Sequence, residues 1–370
     1  MPTAVTLDHL RRYAIARSLF RPTSLLRAVN RLGYLQYDPI RAPARAQDLM
    51  LRHRVEGYRA GDLDARYARM PVEEDLFVNY GVLPRATQRL MHPRTPRTAW
   101  SRARWAQAQA VLEFVQSSGV VHPREVDAAF QHGTTTNWFG GRSRASTQLL
   151  DAMHYRGLLR VARREGGVRL YAPQLAHEGE GPDDPDAHLD ALIDVLVGTY
   201  APLPVTALHR VVLLMGAAAV PQWRERRRAA LARVKARLAQ ATVDGCLWYW
   251  PADERPTGRR PAHDQAWHEE VRLLAPFDPV VWDRERFERF WGWGYRFEAY
   301  TPAKKRLRGY YALPMLWRGQ VIGWANAAVR EGRLDVEPGF VSGSAPHDAA
   351  FAPALDAERA RLERFLGLER

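Results

Sequence analysis

Two stretches of this chain follow one order of elements, and that order leaves few folds open to it. In the clearer stretch, RWAQAQAVLEFVQSSG, HPREVDAAF and SRASTQLLDAMHYRGLL have helical spacing, and LLRVARREGGVRLYAP then alternates like paired strands. Ala145, Leu149, Leu150 and Met153 share one face of the third helix, which leaves Arg142, Arg144 and Gln148 to face outward. Three short helices followed by a hairpin make a winged helix, with Glu165-Gly166-Gly167 at the tip of a wing that carries Arg160, Arg163, Arg164 and Arg169. Such a wing can straddle phosphates; its arginines can equally serve only to keep a hairpin solvated.

The order returns from Ala187 as HLDALIDVLVGTYA, PVTALHRVVLLMG and a long basic helix PQWRERRRAALARVKARLAQA, followed by strand-like DGCLWYWPADE. Between the copies, GEGPDDPDA at 179–187 reads as an acidic linker. The long helix sets Arg224, Arg226, Arg227, Arg228, Arg233, Lys235 and Arg237 against Glu225 alone. A charge run is usually a solvated face, but self-repulsion this strong points to phosphate contact, with Arg226 and Arg227 as candidates. A third, more divergent copy fits the start of the chain. There Thr6 caps LDHLRRYAIARSLF, TSLLRAVNRLG follows, and Pro39 makes YLQYDPI a short strand or loop. A further helical stretch is expected over about 60–92, interrupted near Pro71 and Pro84.

Beyond Trp267 the chain turns to short aromatic strands, RLLAPFDPVVW, FWGWGYRFEAYTP, GYYALPMLWRGQVIGWANAAV and RLDVEPGF, which read as a small β-barrel or strongly bent sheet. DAAFAPALDAERARLERFLGLER closes as an amphipathic helix that offers Leu355, Leu362, Phe365 and Leu366 for packing. The fold expected is α+β, with three tandem winged-helix domains at 1–94, 95–178 and 187–262, a C-terminal β-barrel at 267–345 and a last helix at 346–370.

With 46% apolar or aromatic residues the chain can bury a core, and a formal charge of +13, mostly arginine, calls for a polyanionic partner. No run approaches the roughly 20 apolar residues of a spanning helix, and no secretory leader precedes the first helix, so a cytoplasmic, nucleoid-associated protein with no membrane partner is expected. Cys246 is the only cysteine and sits in an apolar, aromatic stretch, which makes it a buried structural residue. Histidines and carboxylates fall at no metal-ligand spacing, and GWGYRF lacks the Lys and Ser/Thr of a phosphate loop, so neither metal nor nucleotide cofactor is expected.

The remaining chemistry lies in Gln36-Tyr37-Asp38. In extended backbone Gln36 and Asp38 project to one side while Tyr37 turns to the core. N-glycosidic hydrolysis passes through a sugar cation, which a carboxylate can stabilise while it takes a proton from attacking water that an amide orients. The plainer alternative has Asp38 capping a helix near Arg41 and Gln36 bonded to backbone.

LGYLQYDPI and, far downstream, LLAPFDPVVWDRERFERFWGWGYRFEAYTPAKKRLRGYYALPML resemble the signature segments of the YcaQ/AlkZ-type DNA glycosylases. The resemblance implies three tandem winged-helix domains joined to a β-barrel and concave around DNA. Family members carry a Gln, an aromatic or aliphatic residue, and then Gln or Asp as catalytic tripeptide. Gln36, Tyr37 and Asp38 occupy it here, and the Asp form resembles the YcaQ branch, which unhooks interstrand crosslinks and removes N-alkylated purines. By the same resemblance Arg45 supports DNA contact, and Lys305 with Arg306 faces the duplex from the barrel. The chain departs from the pattern at Trp324, Asn326 and Ala328, where a basic residue followed by Asp and Lys is expected, and LFVNYGVLPR replaces a Glu and His pattern.

The function expected is therefore that of a monomeric glycosylase acting on double-stranded DNA with alkylated or crosslinked bases. It should be monofunctional, because no lysine lies near Gln36 and Asp38 in sequence to form a Schiff base. A non-catalytic winged-helix DNA-binding protein or transcription regulator is the main alternative, and an RNA-directed enzyme a further one. A regulator would dimerise to match a two-fold operator and would need neither the barrel nor the Gln36 and Asp38 pair.

Overall fold

The computed structural model describes residues 4–96, 98–131, 133–136, 142–175, 184–258 and 269–369; part of the expected acidic linker lies outside them. The fold is mixed α+β, and the chain divides into two compact units. One comprises residues 1–63, 194–211 and 233–370, the other residues 64–193 and 212–232.

In the second unit the helices Arg102–Ser118, Pro123–Phe130 and Ala145–Tyr155 lead into the hairpin Leu159–Glu165 and Val168–Pro173. Their limits are set locally. Ser101 caps the first by accepting from Arg104 N, and His122 and Glu125 form a reciprocal capping box ahead of Pro123. Glu165 pairs directly with Val168, so Gly166 and Gly167 alone make the turn, both with positive φ. Val111, Val115, Val126, Leu149, Leu150, Met153 and Val161 fill the core, at 0% exposure each.

The expected helical stretch over about 60–92 is not what forms. Only the short helices Asp62–Tyr67 and Arg85–Arg89 remain of it, with an antiparallel hairpin, Val72–Leu76 against Tyr80–Pro84, between them. Glu73, Glu74 and Asp75 on this hairpin are buried and neutralised. Arg85 and Arg160 hold Glu73, Arg164 holds Glu74, and Arg94 with His92 holds Asp75. The long basic helix is likewise broken. Pro221–Arg226 is a 3-10 turn in which Trp223 leaves helical geometry, and the α-helix runs only from Arg227 to Arg237.

The first unit begins with the helix Leu7–Ser18, capped as expected by Thr6. It also holds the helices Leu25–Leu32 and Ala46–Leu51 and the strand Leu35–Gln36. A three-stranded sheet follows the order Leu203–Pro204, Cys246–Trp250, Ala239–Val243, and buries Cys246. The C-terminal sheet is antiparallel in the order Arg272–Leu273, Leu313–Trp317, Gln320–Arg330, Arg333–Phe340. Among the described residues no sheet closes, so this one is open where a barrel was expected. The edge at Leu273 explains why. Its carbonyl accepts from Arg52 (2.9 Å) and pairs with His53 Nε2 (2.9 Å), and its amide donates to Glu358 (2.8 Å). Side chains thus take the hydrogen bonds that a closing strand would need.

Leu274, Val280, Val281, Phe287, Trp293 and Tyr295 pack one core with Ile15 and Leu19 of the N-terminal region. The last helix, Phe351–Leu366, buries Phe351, Leu355, Leu362 and Phe365 together with Glu358.

Candidate active site

Asp38 lies just past the strand Leu35–Gln36, where Pro39 interrupts regular pairing. Asp38 Oδ1 accepts from the amide of Ile40 at 2.8 Å, a local turn bond two residues on. Its own amide donates to Gln47 Oε1 at 3.3 Å, and Gln47 is buried on the helix Ala46–Leu51. Asp38 caps no helix: the next one starts at Ala46 with Arg45 in the capping position. Gln36 and Asp38 are buried, at 9% and 6% exposure. Tyr37, expected in the core, is only half-buried. Its hydroxyl is nonetheless buried, so the tip of the ring turns inward as well as the polar pair.

Burial pushes the Asp38 carboxyl above its ordinary value, and the bond from Ile40 N only partly offsets it. No hydrogen bond reaches Asp38 Oδ2 among the described residues, so one carboxylate oxygen is held and the other is open to chemistry. Tyr311 lies within electrostatic reach. Burial and then the charge on Asp38 push its hydroxyl well above the usual tyrosine range, so it stays a neutral O–H donor. That hydroxyl is buried and has no hydrogen-bond partner among the described residues.

The other candidates fall in both units. In the unit that holds Asp38, Arg45 Nε bonds Asp48 Oδ2 at 3.2 Å, and Asp48 also accepts from Tyr58 Oη at 2.7 Å. Lys305 is exposed on the turn Ala303–Lys305, and Arg306 donates to Thr301 O at 2.8 Å with its guanidinium over Tyr310. The Glu298 carboxylate shapes this loop by accepting from the amides of Leu307 (3.1 Å) and Arg308 (2.8 Å), which leaves Tyr300 and Leu307 exposed. The departures at Trp324 and Asn326 serve the same loop. Asn326 Nδ2 donates to Arg308 O at 2.7 Å, and the Arg308 guanidinium covers Trp324 at 5.4 Å from its centroid. Two neutral side chains hold the loop where charges were expected.

In the other unit, Arg164 is engaged twice by the buried carboxylate of Glu74, at 2.7 and 2.6 Å, so much of its charge is spent inside the fold. Arg163 faces outward beside Glu165 (2.8 Å), and Arg144 pairs with Asp127. Arg226 meets Asp186 at 3.2 Å, while Arg227 donates to the carbonyls of Arg224 and Leu213. Arg142 lies on the strand Arg142–Arg144, and its side chain falls outside the described ones. Among the described residues no three His, Cys, Asp or Glu side chains are grouped to hold a metal ion, and no helix is long and apolar enough to cross a membrane.

Residues 29–365 match the family model of the AlkZ-like DNA glycosylases. The chain belongs to that family. An AlkZ-like glycosylase acts on the bond between a base and its sugar, so DNA is its substrate class. Among solved structures the chain is similar to Streptomyces sahachiroi DNA glycosylase AlkZ, with a TM-score of 0.64 over 100% of this chain and 98% of that one. The two are 16% identical, so this likeness shows a shared fold.

Two residues beside Asp38 escaped the sequence reading. Gln47 could have been suspected from its place in RAQDLM, a polar side chain in the first helix after the tripeptide. Tyr311 lies at the far end of the chain, and no local pattern ties it to Asp38.

Proposed function

We propose that this AlkZ-like protein is a monofunctional DNA glycosylase that releases N-alkylated purines and unhooks interstrand crosslinks, with Asp38 and Gln36 at the reacting centre. The observation that carries the reading is a buried carboxylate with one oxygen tied to Ile40 N and the other without a hydrogen bond among the described residues, beside a buried amide, in a member of a glycosylase family.

An N-alkylated purine is already cationic and leaves as a neutral base, so departure needs little acid assistance. Charge then develops on the sugar, where ionised Asp38 stabilises it and accepts a proton from the water that adds to the anomeric carbon. Gln36 orients that water. The helix and hairpin groups at 102–173 and 185–250 serve, in this reading, as winged-helix modules beside a third at the N-terminus, and the arginines with donors left over contact phosphates. The protein acts as a monomer on duplex DNA.

The direct test is a duplex crosslinked by a nitrogen mustard, incubated with the protein under single-turnover conditions. Unhooked products with an abasic site and an intact strand are expected; strand breakage with borohydride trapping of the protein would sink the monofunctional assignment.

The pH profile follows from the same site. Asp38 must be ionised to act, so the rate should fall as pH drops through its pKa. Burial raises that pKa, so the fall should begin above the ordinary aspartate value of about 3.9. A single-turnover rate that stays flat down to about pH 4 would remove the ionisation of Asp38 from the mechanism.

A further inference from the structure

The helix Ala46–Leu51 runs on into Arg52 and His53, and these residues meet the strand Arg272–Leu273 and the last helix, Phe351–Leu366. At that junction lies a cavity of about 240 Å³ whose walls include Arg52, Arg59, Arg272, Arg361, Arg364 and His53. The carboxylates that answer these guanidinium groups are fewer. Glu358, fully buried, is shared between Arg52 and Arg361. Glu270 pairs with Arg272 at 2.6 Å, and Glu369 lies 3.4 Å from Arg59 and 4.0 Å from Arg364. Among the described residues, the ion pairs of these five arginines go to three glutamates.

Two groups in the wall register these charges. Burial, then the charges of Arg52 and Arg272, hold the His53 imidazole far below its ordinary value, so it is neutral. A neutral ring fits its bonds: Nε2–H donates to Leu273 O at 2.9 Å and Nδ1 accepts from Arg272 Nη1 at 3.3 Å. Arg272 is itself lowered, by burial first and by Arg361 and Arg52 among its neighbours. Arg52 Nε is buried and has no hydrogen-bond partner among the described residues, so a donor in the wall is still unmet. A buried donor left in that state is costly, because it has given up water without gaining a partner.

We propose that this cavity is a phosphate-binding site, separate from Gln36 and Asp38, that takes a phosphomonoester dianion. Arginine forks match the paired oxygens of a phosphate, and a dianion answers such a cluster of cations better than a carboxylate does. An internal phosphodiester carries a single charge and is flanked by sugar on both sides, so it is the poorer match to a cavity lined by five arginines, two of them, Arg52 and Arg272, largely buried. The phosphate can belong to a free nucleotide or to the end of a strand. Both present the same group.

The full-length protein would be titrated at fixed ionic strength with inorganic phosphate and with a deoxynucleoside 5′-monophosphate, followed by calorimetry. In parallel, duplexes ending in 5′-phosphate or 5′-hydroxyl would be compared by fluorescence anisotropy. Arg59→Gln with Arg364→Gln is the variant of choice, since both side chains are more than half exposed, and its melting temperature should stay at the wild-type value. The variant should bind the phosphate ligand about tenfold more weakly or worse. Calorimetric binding assigns the site to free phosphates; a preference for phosphorylated ends without it assigns the site to strand termini. Wild-type protein that distinguishes phosphate from chloride in neither arm, or a variant that binds as tightly as wild type, overturns the proposal. Asp38→Asn protein should bind phosphate unchanged, so this site stands or falls apart from the excision chemistry.

Discussion

Asp38→Asn should lower single-turnover excision of an alkylated purine by about a hundred to ten thousandfold, the range for loss of a general base or an electrostatic stabiliser. DNA affinity and melting temperature should hardly move. The amide keeps the volume of the carboxyl and an oxygen for the Ile40 amide, so the turn at Pro39 survives. What it loses is the negative charge opposite the sugar cation and the basicity that draws a proton from water. Gln36→Ala should cost less, because a second water can partly replace an orienting amide. Asp38→Asn protein that melts lower yet excises at the wild-type rate would make Asp38 a turn residue and nothing more.

The parts of the fold that were legible in the sequence are those whose determinants lie close together in the chain. Ser101, the His122 and Glu125 pair, and Gly166-Gly167 set the helices and hairpin between 102 and 173 by contacts only a few residues long. The hairpin at Val72–Leu76 and Tyr80–Pro84 was hidden for the opposite reason. Three successive acidic residues look like an exposed helical turn unless the cations that bury them are known, and Arg160 and Arg164 lie far along the chain. Whether the C-terminal strands form a barrel or a bent sheet is hard to read from sequence on similar grounds, and among the described residues no sheet closes. Strand composition suggests closure, but His53 and Glu358, remote from Leu273 in sequence, occupy the edge that would have to pair. The candidate pair is visible in the sequence because Gln36 and Asp38 stand two residues apart, whereas Tyr311 reaches Asp38 only through the tertiary fold.

Arg54→Met should be the most destabilising single change in the unit that carries Asp38. Arg54 is fully buried and donates to Ser18 O at 2.9 Å, to Met50 O at 2.7 Å and to both oxygens of Asp278 at 2.8 and 3.0 Å. One guanidinium thus ties the end of the first helix, the helix that bears Gln47, and the loop ahead of the helix Arg284–Trp291. Methionine approximates the stem but leaves Asp278 charged, desolvated and without its cation, a situation that costs about 3–5 kcal/mol. Asp278→Asn added to Arg54→Met removes the stranded charge, so the double variant should be less destabilised than the sum of the two single changes. Because Gln47 fixes the backbone of Asp38, excision should also fall at temperatures where the variant is still folded. Denaturant unfolding followed by tryptophan fluorescence measures the first effect, since Trp293 lies in the core of this unit and Trp291 packs against it. An Arg54→Met unfolding free energy within about 1 kcal/mol of wild type would mean that the Arg54 and Asp278 pair does not hold the N-terminal and C-terminal parts of the unit together.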